Sequence, residues 1–238
     1  MIYILSDIHG NRRRFASIMA QIPLREEDTL YVLGDVIDRH SDGISILLQL
    51  MAMPNVKLLL GNHEYMMLRT LGRPKDSNVD DGKAQAHWYR NGGQVTHEQF
   101  KQLDPDRQEA LIRHLLSLPL HYDVELNGTH YKLVHGATEE AYDQDPKHPT
   151  PAHFAVWKRW DLEDTPPEGY TMIFGHTPTR YYRDIAPMEV WFDRNRIGID
   201  CGCGYSEDPA DELYHYGRLA CLRLDDGQVF YSQEGNLT

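Results

Sequence analysis

The sequence predicts an α/β protein built as a two-sheet β-sandwich flanked by helices, and three observations carry that prediction. Short apolar runs at 2–6, 29–33 and 56–60 are each followed by a polar loop and then a helical pattern, a βαβ succession that implies parallel strands. Farther along, two pairs of alternating runs flank Asn127-Gly128 and Asp226-Gly227, dipeptides that favour type I′ hairpin turns. Finally, 238 residues at 41% hydrophobic content can bury a full core, so one domain over 1–238 is expected.

The elements follow in order. Ile2-Tyr3-Ile4-Leu5 is a strand of β-branched and aromatic residues. The helix after it opens on Arg12-Arg13-Arg14, where positive charge opposes the helix dipole; a solvated face or an anion-binding rim would each account for the run. After the strand at 29–33 comes a helix over 43–53, with Ile44, Leu47, Leu48 and Met51 on one face, and then the strand at 56–60. The stretch 76–118 reads as helical and polar, broken at Asn91-Gly92-Gly93. Strands at 120–126 and 129–134 form the first hairpin, and 214–224 with 228–232 the second. Residues 143–151 and 165–169 are Pro-containing surface loops. There is no internal repeat or low-complexity tract.

Composition narrows the partners. A net charge of −12 repels a nucleic acid polymer. No secretory signal and no apolar run of membrane-spanning length is legible, so a cytoplasmic protein with no membrane contact is expected. The odd set Cys201, Cys203 and Cys221 argues against a disulfide framework. The Cys-x-Cys pair lacks the second pair a zinc site would need, so the three read as small buried residues. Nothing sets an oligomeric state.

The chemistry lies in the loops. Asp7-Ile8-His9-Gly10, Gly34-Asp35-Val36-Ile37-Asp38-Arg39, Gly61-Asn62-His63-Glu64 and Gly175-His176-Thr177-Pro178 each follow an apolar run, and His135-Gly136 adds a fifth motif. Carboxylate, imidazole and amide oxygen are the donors that a pair of divalent ions needs when it must also take water and phosphate. If the chain stays extended after the first strand, Asp7 and His9 project to one side and grip one ion. Asp35 would bridge both ions, offsetting the repulsion between dications about 3.5 to 4 Å apart. Asn62, His135 and His176 would complete the second shell. Isolated histidines such as His114, His148 and His215 receive no role.

In type and order these motifs resemble the calcineurin-like metallophosphoesterases, and within them the phosphoprotein phosphatase family. That family includes Ser/Thr protein phosphatases, the phage lambda phosphatase and symmetrical diadenosine tetraphosphatases. The resemblance implies the family's architecture and two divalent metal ions, Mn²⁺ first with Fe or Zn as alternatives. It also implies that Asp7, His9 and Asp35 hold one metal, while Asp35, Asn62, His135 and His176 hold the other. By the same resemblance His63 is the general acid, Asp38 orients it and Arg39 clamps phosphate. Trp157-Lys158-Arg159 is similar to a Trp-Asn-Arg segment of phage and bacterial phosphatases, which makes Arg159 a second clamp. Trp88 with Asn91-Gly92-Gly93 looks like a segment of the bacterial protein-phosphatase-like members, and Trp88 itself is expected in the core.

Three positions depart from the family pattern. His40 stands where glycine is usual, which is costly if that position takes a positive φ. Ser6 stands where glycine is usual before the first Asp. Ile199-Asp200-Cys201-Gly202 carries Cys201 in place of threonine. The implied activity is in-line phosphoester hydrolysis by a metal-bound hydroxide, without a phosphoenzyme. Phosphoserine or phosphothreonine in a protein or peptide is the first substrate expected, a dinucleoside tetraphosphate the second, and a small phosphoester would also fit. A catalytically silent metal-binding interaction domain is a third reading, against which the complete set of ligands, acid and clamp argues.

Overall fold

Two mixed five-stranded sheets, flanked by seven helices, form the computed structural model, which describes residues 1–71, 81–143, 147–205 and 217–233. In the first sheet β1 (Ile2–Leu5) lies beside β2 (Thr29–Val32), which lies beside β3 (Val56–Leu58), all parallel. On the other side of β1, β9 (Ala220–Arg223) and β10 (Gln228–Tyr231) complete the order β10-β9-β1-β2-β3 with antiparallel pairing. The second sheet has the order β4-β5-β6-β8-β7, from β4 (His121–Leu126), β5 (Thr129–Val134), β6 (Tyr170–Phe174), β7 (Trp191–Asp193) and β8 (Arg196–Gly198). β5 and β6 are parallel, so this sheet also presents carboxyl ends of adjacent strands on one side.

Alternation along β1 shows how the layers stack. Tyr3 and Leu5 join Phe15, Ile18 and Leu47 beneath the helices, whereas Ile4 joins Leu133, Ile173 and Ile199 between the sheets. A period of two with both sets buried requires cover on both faces. Burying one such side chain contributes about 1.5–3 kcal/mol. A third cluster, Val134, Met172, Phe174, Trp160 and Trp191, covers the outer face of the second sheet.

The helices start where the sequence supplies caps. Asn11 accepts from the Arg14 amide to open α1 (Arg12–Gln21), Asp104 with Pro105 opens α6 (Pro105–Ser117), and Thr150 with Pro151 opens α7 (Pro151–Trp157). Between them lie α2 (Gly43–Met51), α3 (Asn62–Thr70), α4 (Asp81–Arg90) and α5 (Gln94–Gln102). The expected helical middle is therefore α4, α5 and α6 over its described part, with the break at 91–93 where it was read. Residues 72–80, 144–146, 206–216 and 234–238 lie outside the described residues, and with them the start of the helical middle, part of the predicted loop at 143–151, His215 and the start of the predicted strand at 214–224.

Two local expectations need correction. Asn127 (φ 53°) and Gly128 (φ 77°) do form the left-handed pair of a type I′ turn. The second hairpin instead joins Arg223 to Gln228 through a four-residue loop in which only Gly227 (φ 73°) is left-handed. Asp226 turns its carboxylate to the Gln228 amide and the Arg223 guanidinium, which fixes the longer loop. Secondly, Arg12-Arg13-Arg14 is not one solvated face: Arg13 is exposed, but Arg14 is turned inward. Arg14 is 2% exposed and donates to the Cys203 carbonyl at 2.8 Å, and Arg12 reaches Gln49 and Ser45 on α2.

Candidate metal centre

Loops after β1, β2, β3, β5 and β6 meet at the carboxyl ends of both sheets, where ligand sites of α/β folds gather. Asp7 and His9 are left-handed, with φ of 56° and 50°, and not extended as the sequence led us to expect. The chain curls because its amides follow the neighbouring loop: Asp7 N–H donates to Gly34 O, His9 N–H to Asp35 O and Gly10 N–H to Val36 O. The two side chains converge nonetheless, with His9 Nε2 3.8 Å from Asp7 Oδ1 and 3.7 Å from Asp35 Oδ2.

On the other side, Asn62 Oδ1 lies 2.9 Å from His135 Nε2 and 2.8 Å from His176 Nδ1, and Asp35 Oδ1 lies 3.5 Å from His135 Nε2. Asp35 thus faces both groups of donors. Its position is held by α3: the His63 amide donates to Asp35 Oδ1 at 3.0 Å. The Glu64 carboxylate accepts from the amides of Asp35, Val36, Ile37 and Gly61. A Cβ at Gly34 would stand 2.6 Å from Gly61 Cα, so the two loops touch backbone to backbone.

The donors suit a cation. His9 Nδ1–H donates to the Ile37 carbonyl and His135 Nδ1–H to the Leu33 carbonyl. Carbonyls only accept, which leaves the Nε2 lone pairs of both rings aimed at carboxylate oxygens. Burial pushes both imidazoles down, His9 well below its ordinary value, so protonation does not relieve the contact. Burial also pushes Asp35 up to about 7 and raises Asp7 and Asp200. Neutral nitrogens and buried carboxylates around one space fit divalent ions.

Behind the donors stands a relay. His63 Nδ1–H donates to Asp38 Oδ2 at 2.6 Å, Trp88 Nε1–H donates to the same oxygen at 2.8 Å, and the Asp38 amide donates to Thr96 Oγ1. Asp38 is fully buried, and burial pushes it up to about 7. Burial also drives His63 down to about 3; the Asp35 carboxylate opposes that and the Arg39 guanidinium adds to it. His63 also falls in a geometric cluster with His9 and Asp35. Its Nε2, however, faces Arg39 Nη2 at 3.3 Å, and a guanidinium there opposes a second cation on that nitrogen.

Arg39 lies over the Tyr205 ring and is anchored by its amide to the Gly92 carbonyl, so α4 and α5 hold it as well as Asp38. His40 carries no positive φ; the strain sits one and two residues earlier, at Arg39 (68°) and Asp38 (73°). His40 binds the His9 carbonyl through both its amide and its ring. Ser6 Oγ–H donates to Asp7 Oδ2, an orientation glycine would not supply. Arg159 is exposed beside Thr177 and Tyr182, near enough for its charge to lower His176. Its neighbour Lys158 turns away to Asp164, and Trp157 packs edge-on against His176 at 5.7 Å. Cys201, Cys203 and Cys221 are free and buried.

Sequence reasoning placed Trp88 in the core, and it is fully buried, but its donation to Asp38 was missed, as were Thr96 and Glu64. The Glu64 position had a signal, since an acid at the third helical residue is the mark of a capped start.

The calcineurin-like phosphoesterase family model matches residues 1–206. A symmetrical bis(5′-nucleosyl)-tetraphosphatase from Proteus mirabilis is 22% identical, with 96% of each chain covered. A metallophosphoesterase from Sphaerobacter thermophilus superposes with a TM-score of 0.52 at 19% identity, over 98% of this chain and 88% of that one. A Ser/Thr protein phosphatase from Saccharomyces cerevisiae superposes with a TM-score of 0.54 at 13% identity, over 100% and 81%. With the motifs in order, the donors converged and most of its length matched, the chain belongs to the calcineurin-like phosphoesterases, hydrolases that act on phosphoesters with a binuclear divalent metal centre.

Proposed function

We propose that this chain is a two-metal dinucleoside tetraphosphate hydrolase whose site residues take the roles their motifs imply. The observation that carries the chemistry is the His63–Asp38–Trp88 relay set against the convergent donors of Asp7, His9, Asp35, Asn62, His135 and His176. Two divalent ions held there would supply Lewis acidity and a water acidic enough to attack near neutral pH. Arg39 and Arg159 would hold the phosphoryl oxygens, each guanidinium able to take two. As the water oxygen adds to phosphorus and the bond to the leaving oxygen breaks, His63 Nε2–H gives its proton to that oxygen. Asp38 holds Nδ1–H throughout. A phosphate beside Arg39 offsets the guanidinium that lowers His63, and so moves the pair toward imidazolium and carboxylate.

The substrate choice rests on the relatives aligned over nearly their whole length, which carry the tetraphosphatase name. A phosphoserine or phosphothreonine protein is the second reading, favoured by the Asn91-Gly92-Gly93 and Trp157-Lys158-Arg159 segments. Assaying the Mn²⁺-loaded protein on p-nitrophenyl phosphate, a phosphothreonine peptide and diadenosine tetraphosphate separates them. The highest kcat/KM is expected for the dinucleotide; preference for the peptide would replace this reading by the second, and inertness to all three would favour a silent binding domain.

A further inference from the structure

A cleft of about 540 Å³ opens beside the metal centre, walled by Arg69 of α3, by Lys83, His87 and Arg90 of α4, and by His153 and Trp157 of α7. It shares a wall with the site: Trp157 stacks on His87 at 5.6 Å and on His153 at 5.9 Å, and its edge meets His176. Its charge runs against the whole molecule. In a chain of net charge −12, the described walls carry Arg69, Lys83, Arg90, His87 and His153 and no carboxylate. Lys83 and Arg90 are exposed, and Arg69 is half-buried over the Tyr65 ring.

We infer that this cleft is a subsite for a second, non-reacting phosphate of a small-molecule substrate. The inference rests on the reading of the neighbouring site as a phosphoester hydrolase centre and deepens it. Three permanent cations, two of them guanidiniums with forked donors, match phosphate oxygens. The volume lies in the range of small-molecule sites. The walls come from three helices, whose interior amides and carbonyls are already paired, so the cleft offers side chains and little backbone.

Adenosine monophosphate and adenosine diphosphate differ only in that second phosphate. Calorimetric titration of the Mn²⁺-loaded protein with each, at fixed free Mn²⁺, is expected to show tighter binding of the diphosphate by about tenfold, the value of one charge-assisted contact. In the Lys83→Ala/Arg90→Ala double variant the preference should shrink to within about twofold. Arg69→Gln, read by the same ratio and checked by thermal unfolding, should act in the same direction. No preference in the unsubstituted protein, or a preference that survives the double variant, would overturn the subsite. So would a larger loss toward an acidic phosphothreonine peptide than toward the diphosphate, which would assign the cleft to protein substrates. Because the titration needs no turnover, failure of the proposed activity would appear separately, as inertness in the three-ester assay.

Discussion

The half of the centre built on the first sheet and the half built on the second differ in charge and in backbone strain. From the first come Asp7, His9, Asp35, Asp38 and Arg39, all left-handed with φ between 50° and 73°, and Asn62 and His63 at the start of α3. From the second come His135 and His176, two neutral imidazoles, and only His176 (φ 62°) is left-handed. Left-handed non-glycine residues cost roughly 1–3 kcal/mol each, so the strained half is the one that carries the anions.

That contrast breaks if the halves respond alike. Asp35→Asn should cost more than about 10⁴-fold in kcat/KM, beyond what one acid–base group supplies, and should lower metal content by elemental analysis. His176→Asn should cost less in rate while still weakening metal affinity by at least about 10- to 100-fold, the value of even a supporting residue. Equal rate losses would mean that Asp35 has no special bridging place.

Next in size is His63→Asn. It is expected to keep both metals and to lose about 10² to 10⁴-fold on an alkyl phosphate, with a smaller loss on p-nitrophenyl phosphate, whose leaving group departs without a proton. The same loss on both substrates, or loss of metal, would make His63 a ligand rather than an acid.

Trp88→Phe sharpens the comparison at the edge of the strained half. It removes one donor from the Asp38 carboxylate and should lower kcat/KM about tenfold with the leaving-group pattern of His63→Asn. The fold should lose about 1–3 kcal/mol with this hydrogen bond to a buried carboxylate, whose oxygen then keeps His63 as its donor. An unchanged rate at lowered stability would leave Trp88 as packing alone.

The smallest effect belongs to the thiols. Burial pushes Cys203 and Cys221 up to about 12 and raises Cys201 as well. In the folded protein at pH 8, iodoacetamide should therefore label none of them, and all three should react in denaturant. The unfolded chain gives up these protons near its ordinary value of 9.0, the folded chain only near 12. Stability should accordingly fall as pH rises between those values. Fast labelling of the native protein would show that this core opens.

Residues whose role depends on neighbours in sequence were legible. Strand, loop and helix alternate within about ten residues around Asp7, Asp35 and Asn62, so local pattern placed them at strand ends. The turn at Asn127-Gly128 was legible for the same reason. What was not legible depends on contacts far along the chain. Arg14 meets a carbonyl 189 residues away, and Trp88 meets Asp38 across 50; neither periodicity nor composition encodes such a meeting. The pairing of β9 with β1 and the β8–β7 hairpin are distant or short in the same way. Asp226-Gly227 misled because the dipeptide sits at the end of a four-residue loop rather than at its centre.

The Glu64 carboxylate, 1% exposed, binds four amides, and three of them, those of Asp35, Val36 and Ile37, belong to a loop with no ladder partner of its own. Such amides would ordinarily trade their hydrogens with solvent quickly, because loop segments open at little cost in free energy. Held by a buried anion, they can exchange only when α3 lifts away from β2 and the sheet–helix core opens. In deuterium their clock should run with that of Leu30 and Val32, so the segment that carries Asp35 keeps the time of the core while it wears the shape of a loop.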